Sequence, residues 1–174
     1  MSDAAFATEA LATHHDRSSF TCGVEPLDRY LRQQATQDIR RRIANCFVLT
    51  EKATGTVAGY YTLSGTSLHL TDLPEAQAKR LPRYPMVPAA LLGRLAIATA
   101  YQRRHLGASL LADAAERALR SDLAVFAIVT DPKDDQARRF YVKYGFIEVP
   151  GAQRRLVVPI DSILRFFEAQ RSSK

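Results

Sequence analysis

The stretch Ala89–Arg120, "AALLGRLAIATAYQRRHLGASLLADAAERALR", holds the transition on which the fold turns. Its first part, Ala89–Ala98, is apolar on both sides of Arg94, the pattern of a strand buried by helices on both faces. From Gly107 to Arg120 the apolar period lengthens. Leu110, Leu111, Ala114, Ala115, Ala118 and Leu119 share one helical face, and Asp113, Glu116, Arg117 and Arg120 share the other. Between strand and helix lie Gln102, Arg103, Arg104 and His105, which admit three readings: a basic nucleic-acid patch, a metal-binding or acid/base histidine, or a loop that holds phosphate. The first amides of a helix are unpaired and its dipole leaves positive potential there, so anions bind at such places. Gly107, Ala108 and Ser109 let a diphosphate approach the main chain, while Arg103 and Arg104 add charge. A nucleotide P-loop needs Gly-Lys-Ser/Thr and a dinucleotide site needs three glycines; neither occurs here, so a different diphosphate cofactor is implied.

Working outward, "EPLDRYLRQQATQDIRRR" reads as a first helix, with Pro26 near its start where the missing amide hydrogen costs least. "ANCFVLTE" and "TVAGYYTLSG", joined by "KATG", predict a hairpin of two strands. The proline-rich stretch "TDLPEAQAKRLPRYPMVP" predicts mostly loop, with room for a short helix over Pro74–Arg80. Further on, "LAVFAIVT" reads as a buried strand. Asp134 is placed to cap a helix in which Ala137, Phe140, Tyr141 and Tyr144 recur at helical spacing, and Gly145 suits its end. "FIEV" and "RLVVPI" read as the last strands, and "DSILRFFEAQ" as a closing helix capped by Asp161. This order predicts an α/β fold, a mixed central sheet flanked by helices, formed by residues 1–174 as a single domain.

The chain of 174 residues carries 24 Lys and Arg against 18 Asp and Glu, a net charge of +6 that favours anionic partners such as nucleic acid or phosphorylated cofactors. Two cysteines, Cys22 and Cys46, are too few for a disulfide framework or a paired-cysteine zinc site, and His14, His15 and His69 lack ligand spacing; no metal is expected. No apolar run approaches the roughly 18 residues that span a bilayer, so no membrane association and a cytoplasmic location are expected.

"LLGRLAIATAYQRRHLGASLLADAAERAL" resembles the acetyl-CoA motif of GNAT acetyltransferases, a strand followed by Gln/Arg-x-x-Gly-x-Gly/Ala. Gln102 and Gly107 fill the outer positions, and His105 stands where the family has glycine. A second match is "FYVKYGF", similar to the family's late helix and turn, whose tyrosine serves as general acid to the departing CoA thiolate; Tyr141 matches it. With "FTCGVEPLDRYLRQQATQDIRRRIANCFVLTE", "GYYTLSG" and "LPRYPMVPAALLGRLAI", these segments resemble the GNAT toxins of bacterial toxin–antitoxin pairs over roughly Phe20–Ile160.

The resemblance implies the GNAT fold and transfer of acetyl from acetyl-CoA to the α-amino group of an aminoacyl-tRNA, which would stop translation. It implies cofactor contacts from Leu95, Ala96, Ile97, Gln102, Arg103, Arg104, His105, Leu106, Gly107, Ala108, Ser109 and Phe140, chiefly through the main chain. It implies also a ribbon-helix-helix antitoxin, operator DNA bound only through that partner, and a homodimer. An ordinary GNAT enzyme for a small amine or protein, and a non-catalytic basic module of the same fold, are the alternatives.

Residue by residue, plainer roles stand beside these. Tyr141 by periodicity alone is a core aromatic, as Phe140 and Tyr144 are. Arg94, inside an apolar strand, either pairs with a carboxylate or faces a cleft. Arg40, Arg41, Arg42, Arg83 and Arg94 are candidate tRNA contacts, since folded RNA is held chiefly through phosphates by such side chains. An α-amino nucleophile titrates near about 8, so little base catalysis is required.

Overall fold

The computed structural model describes residues 5–173; residues 1–4 and 174 of the expected single domain lie outside them. In chain order the strands and helices are β1 (Phe6–Ala10), α1 (Glu25–Arg29), α2 (Ala35–Arg40), β2 (Asn45–Glu51), β3 (Val57–His69), α3 (Glu75–Ala78), β4 (Met86–Ile97), α4 (Leu106–Leu119), β5 (Ala127–Thr130), α5 (Asp135–Lys143), β6 (Ile147–Glu148), β7 (Leu156–Pro159) and α6 (Ile160–Ser172). The sheet has the order β1-β2-β3-β4-β5-β7-β6. The β4–β5 pair is parallel, whereas β1–β2, β2–β3, β5–β7 and β6–β7 are antiparallel, which makes the expected mixed sheet.

The chain forms two compact units, Met1–Ser64 with Gly93–Ala114 and Gly65–Leu92 with Ala115–Lys174. In the first, Phe20, Tyr30, Leu31, Val48, Tyr60, Ala96 and Ala98 form a buried cluster. The hairpin expected at "KATG" is present, and Gly55 turns it at φ +73°. Strand β1 was not foreseen; it runs antiparallel to β2, pairing Phe6 with Glu51 and Ala10 with Phe47. The expected first helix is interrupted. Over Tyr30–Gln34 the turns widen to a π-helix, and the Ala35 amide donates to Tyr30 O, five residues back.

In the second unit Leu68, Leu73, Val87, Ala89, Ala127, Val129, Val149 and Val157 form another cluster. The proline-rich stretch contains the short α3, but β4 begins at Met86, inside the expected loop. The strand read from "LAVFAIVT" is confined to Ala127–Thr130, and Leu123 is 77% exposed. Asp134 caps α5 as expected, accepting from Ala137 N at 2.8 Å, and Gly145 ends it at φ +92°. Asp161 does not cap α6. That helix starts at Ile160, whose amide is already satisfied by Phe126 O at 3.0 Å, so Asp161 lies in the first turn. Leu119, assigned to the buried face of α4, is 54% exposed at the helix end.

Candidate active site

The loop that joins β4 to α4 is fixed at its start by the first unit's main chain. Ala98 N donates to Ala58 O and Thr99 N to Thr21 O, each at 2.8 Å, and Thr99–Tyr101 form one 3₁₀ turn. The side-chain amide of Gln102 then donates to Ile97 O and to Cys22 O, both at 3.0 Å. Its expected part in cofactor contact is therefore carried by the loop conformation it holds. Beyond it the backbone alternates in sign, since Arg103 and His105 take φ +63° and +57° with Arg104 between them outside the positive region. Alternation of this kind turns successive amides towards one concave side, as in anion-binding nests. Histidine tolerates that region comparatively well, which is how a loop without glycine at the middle position keeps the bend.

The side chains here divide the expected cofactor set. Leu106 is buried and anchors α4, and Ala96 packs in the first unit's core, so these two residues offer their main chain only. Leu95 and Ile97 are half-buried, and Gly107, Ala108 and Ser109 are half-exposed at the start of α4. Arg104 folds back over two rings, 5.0 Å from the Phe6 centroid and 5.7 Å from that of Tyr101. Among the described residues Arg103 has no carboxylate partner, and it is exposed. Small residues, converging amides and an unpaired guanidinium at a helix start fit a diphosphate.

Close packing holds β4 beside β3. A Cβ on Gly59 would lie 2.9 Å from Ala96 O and 2.7 Å from Ile97 Cδ1, so only glycine lets the strands approach.

In the second unit, Tyr141 lies on α5 and is only 6% exposed. Phe140 and Phe146 meet its ring edge-on at 5.1 and 5.2 Å. Burial pushes the phenol pKa up to about 12, with a hydrogen bond to Thr130 acting the other way. Thr130 itself donates to Leu92 O at 3.0 Å. Sequence reading missed Thr130, which carries no signal in "LAVFAIVT". The half-buried Phe140 also packs against Tyr144, at 5.1 Å.

Of the roles foreseen for Arg94, pairing with a carboxylate is the one it does not take. No carboxylate pairs with it among the described residues; its guanidinium carbon lies 3.6 Å above the Tyr30 ring centroid. Arg40, Arg41 and Arg42 are exposed at the end of α2 in the same unit, with Arg42 at φ +57°, and Arg83 is exposed in the other unit. The histidines depart from their sequence spacing. Glu9, His14 and His15 bring ligand atoms within 4.8 Å of one another. His15 Nδ1 accepts from Ala12 N at 2.9 Å, which puts the proton on Nε2, 3.1 Å from Glu9 Oε1. A metal on Nε2 would need that proton moved onto Nδ1, against the Ala12 N–H, so the arrangement sets the His15 ring beside the Glu9 carboxylate and disfavours a metal. No described helix is long and apolar enough to cross a membrane.

Comparison with known proteins identifies the family. The Acetyltransferase (GNAT) family profile matches residues 10–146. A "tRNA-acetylating toxin" of Mycobacterium tuberculosis is 35% identical over 133 residues, covering 75% of this chain and 78% of the relative. The structure of AtaT complexed with acetyl-methionyl-tRNAfMet superposes with TM-score 0.84 at 30% identity, covering 93% of this chain and 99% of the other. A mutant AtaT toxin bound to the C-terminus of the antitoxin AtaR and acetyl-CoA gives TM-score 0.75 at 26% identity, covering 94% and 98%. This chain belongs to the GNAT family of acetyltransferases.

Proposed function

We propose that this GNAT enzyme is a toxin that transfers the acetyl group of acetyl-CoA to the α-amino group of an aminoacyl-tRNA, leaving an amino acid that cannot accept a peptide. The observation that carries this reading is the likeness, over nearly the whole chain, to AtaT holding an acetylated aminoacyl-tRNA. The identity to a tRNA-acetylating toxin and the excess of Lys and Arg support it.

Bound acetyl-CoA supplies an activated thioester and a thiolate leaving group. The converging amides of Arg103–Leu106 and the start of α4 at Gly107–Ser109 hold its diphosphate, and Leu95, Ala96 and Ile97 line its arm by their main chain and half-buried side chains. Tyr141 keeps its proton to about pH 12, so throughout the neutral range the phenol is a donor for the sulfur that takes up negative charge. The acceptor amine, with a pKa near about 8, is partly neutral without help from a base. Arg40, Arg41, Arg42, Arg83 and Arg94 meet tRNA phosphates. The same reading includes action in the cytoplasm, a toxin homodimer, and a ribbon-helix-helix antitoxin that masks the toxin and links it to operator DNA; the complex of AtaT with AtaR supports the antitoxin.

Cell-free translation tests the proposal. Added protein stops synthesis only when acetyl-CoA is supplied, and Tyr141→Phe leaves synthesis running. Arrest without acetyl-CoA, or equal arrest by both proteins, contradicts it.

A further inference from the structure

Arg94 stands on a built platform. It lies on the same side of β4 as Ala96 and Ala98, which pack with Phe20, Tyr30 and Tyr60. Tyr30, at the start of the π-turn, is 2% exposed; its hydroxyl donates to Asp38 Oδ2 at 2.8 Å and its ring stacks on Tyr60 at 6.3 Å. Tyr60 is fixed in turn by donating to Leu27 O at 2.7 Å. A guanidinium lying flat on such a ring keeps its face on the aromatic surface and its N–H donors directed outward around the edge. Asp38 is engaged by Tyr30, and no carboxylate takes up Arg94 among the described residues. A half-buried cation held rigidly with open donors is arranged to receive an anion.

Resting on the proposed function, we infer that Arg94, presented by Tyr30, is a phosphate receptor for the acceptor end of the aminoacyl-tRNA. The acceptor's carboxyl is esterified and its amine attracts no cation, so the phosphodiesters are the anions it offers. Acetyl-CoA is the other source of phosphate. Its loop follows Ile97, whose side chain lies on the opposite side of β4 from Arg94 and faces Gly59 and α4's Leu110.

The test compares wild type, Arg94→Gln and Arg94→Lys. Arg94→Gln raises KM for a pool of charged tRNA about tenfold and leaves kcat within about twofold, the behaviour of a contact made equally in ground and transition states. Acetyl-CoA affinity by calorimetry stays unchanged, and with an uncharged tRNA pool the slope of log K against log salt falls by about one phosphate contact. Arg94→Lys keeps the slope and loses part of the affinity, because an ammonium neither stacks nor binds bidentately. If Arg94→Gln does not fold, Arg94→Lys decides by whether KM rises. Wild-type KM and salt slope in the folded variants, or a loss of acetyl-CoA affinity instead, overturns the inference. If wild type labels no charged tRNA, the proposed function fails, and the salt slopes on uncharged tRNA still judge Arg94.

Discussion

The side-chain amide of Gln102 lies 3.0 Å from Ile97 O, so the residue that opens the loop is tied to the last residue of β4. Its second donor direction meets Cys22 O, also at 3.0 Å. The glutamine that identifies the motif thus acts by holding the main chain in place, and its consequence for binding is indirect. Gln102→Ala weakens acetyl-CoA binding several-fold in calorimetry, in line with about 0.5–1.5 kcal/mol for each hydrogen bond lost. Gln102→Glu weakens it more, since a carboxylate would face two carbonyl oxygens. Wild-type affinity in both variants would mean that the loop holds its form without the tie.

His105 tests whether backbone or imidazole meets the cofactor. The left-handed region costs an ordinary residue about 1–2 kcal/mol, and His105 sits at φ +57°. His105→Gly keeps or tightens acetyl-CoA binding, while the β-branched His105→Val weakens it by about tenfold, the equivalent of 1.4 kcal/mol. A large loss in the glycine variant would assign the grip to the imidazole.

Gly59 sets the approach of β3 to β4 in the first unit. Gly59→Ala drives a methyl group against Ala96 O, a main-chain atom that moves only with its strand. Overpacking of this kind costs about 1–3 kcal/mol, so the melting temperature falls by several degrees and acetyl-CoA binding weakens with it. Thermal melts and calorimetry on the same sample read both effects; an unchanged pair would contradict the close packing.

The pH profile separates the acceptor amine from Tyr141. The amine must be neutral, so kcat/KM rises with pH through the amine pKa near about 8. The phenol must stay protonated, and burial holds its pKa at about 12, so no falling limb follows within the protein's working range. Tyr141→Phe lowers the plateau by about 10²–10⁴-fold and leaves the midpoint in place. A descending limb between about pH 9 and 11 would mean that the phenol titrates near the ordinary tyrosine value of about 10.

Legibility followed the range of the interaction. The α4 and α5 helices, the β2–β3 hairpin, the Asp134 cap and the Gly145 stop were readable because each depends on spacing within a few residues. Strand β1 was missed because Phe6 is its one large apolar residue and its pairing to β2 spans some forty positions. The π-turn escaped notice since a helical pattern of apolar residues barely registers one widened turn. In the site, the motif marked the loop and Tyr141, yet nothing in "QRRH" announces that Arg103 as well as His105 takes positive φ. Arg94 was singled out as an unusual charge in an apolar strand; its partner, Tyr30, comes from a distant segment that only the fold brings near.

The central claim is tested most directly at the acceptor amine. Charged and uncharged tRNA are incubated with the protein and acetyl-CoA, the 3′-terminal aminoacyl-adenosine is released by nuclease, and its mass is measured. The account predicts that the released aminoacyl-adenosine gains one acetyl group on its α-amine, only from charged tRNA and only with Tyr141 intact. Unmodified aminoacyl-adenosine from every charged tRNA, with efficient acetylation of small amines or protein lysines instead, would contradict it.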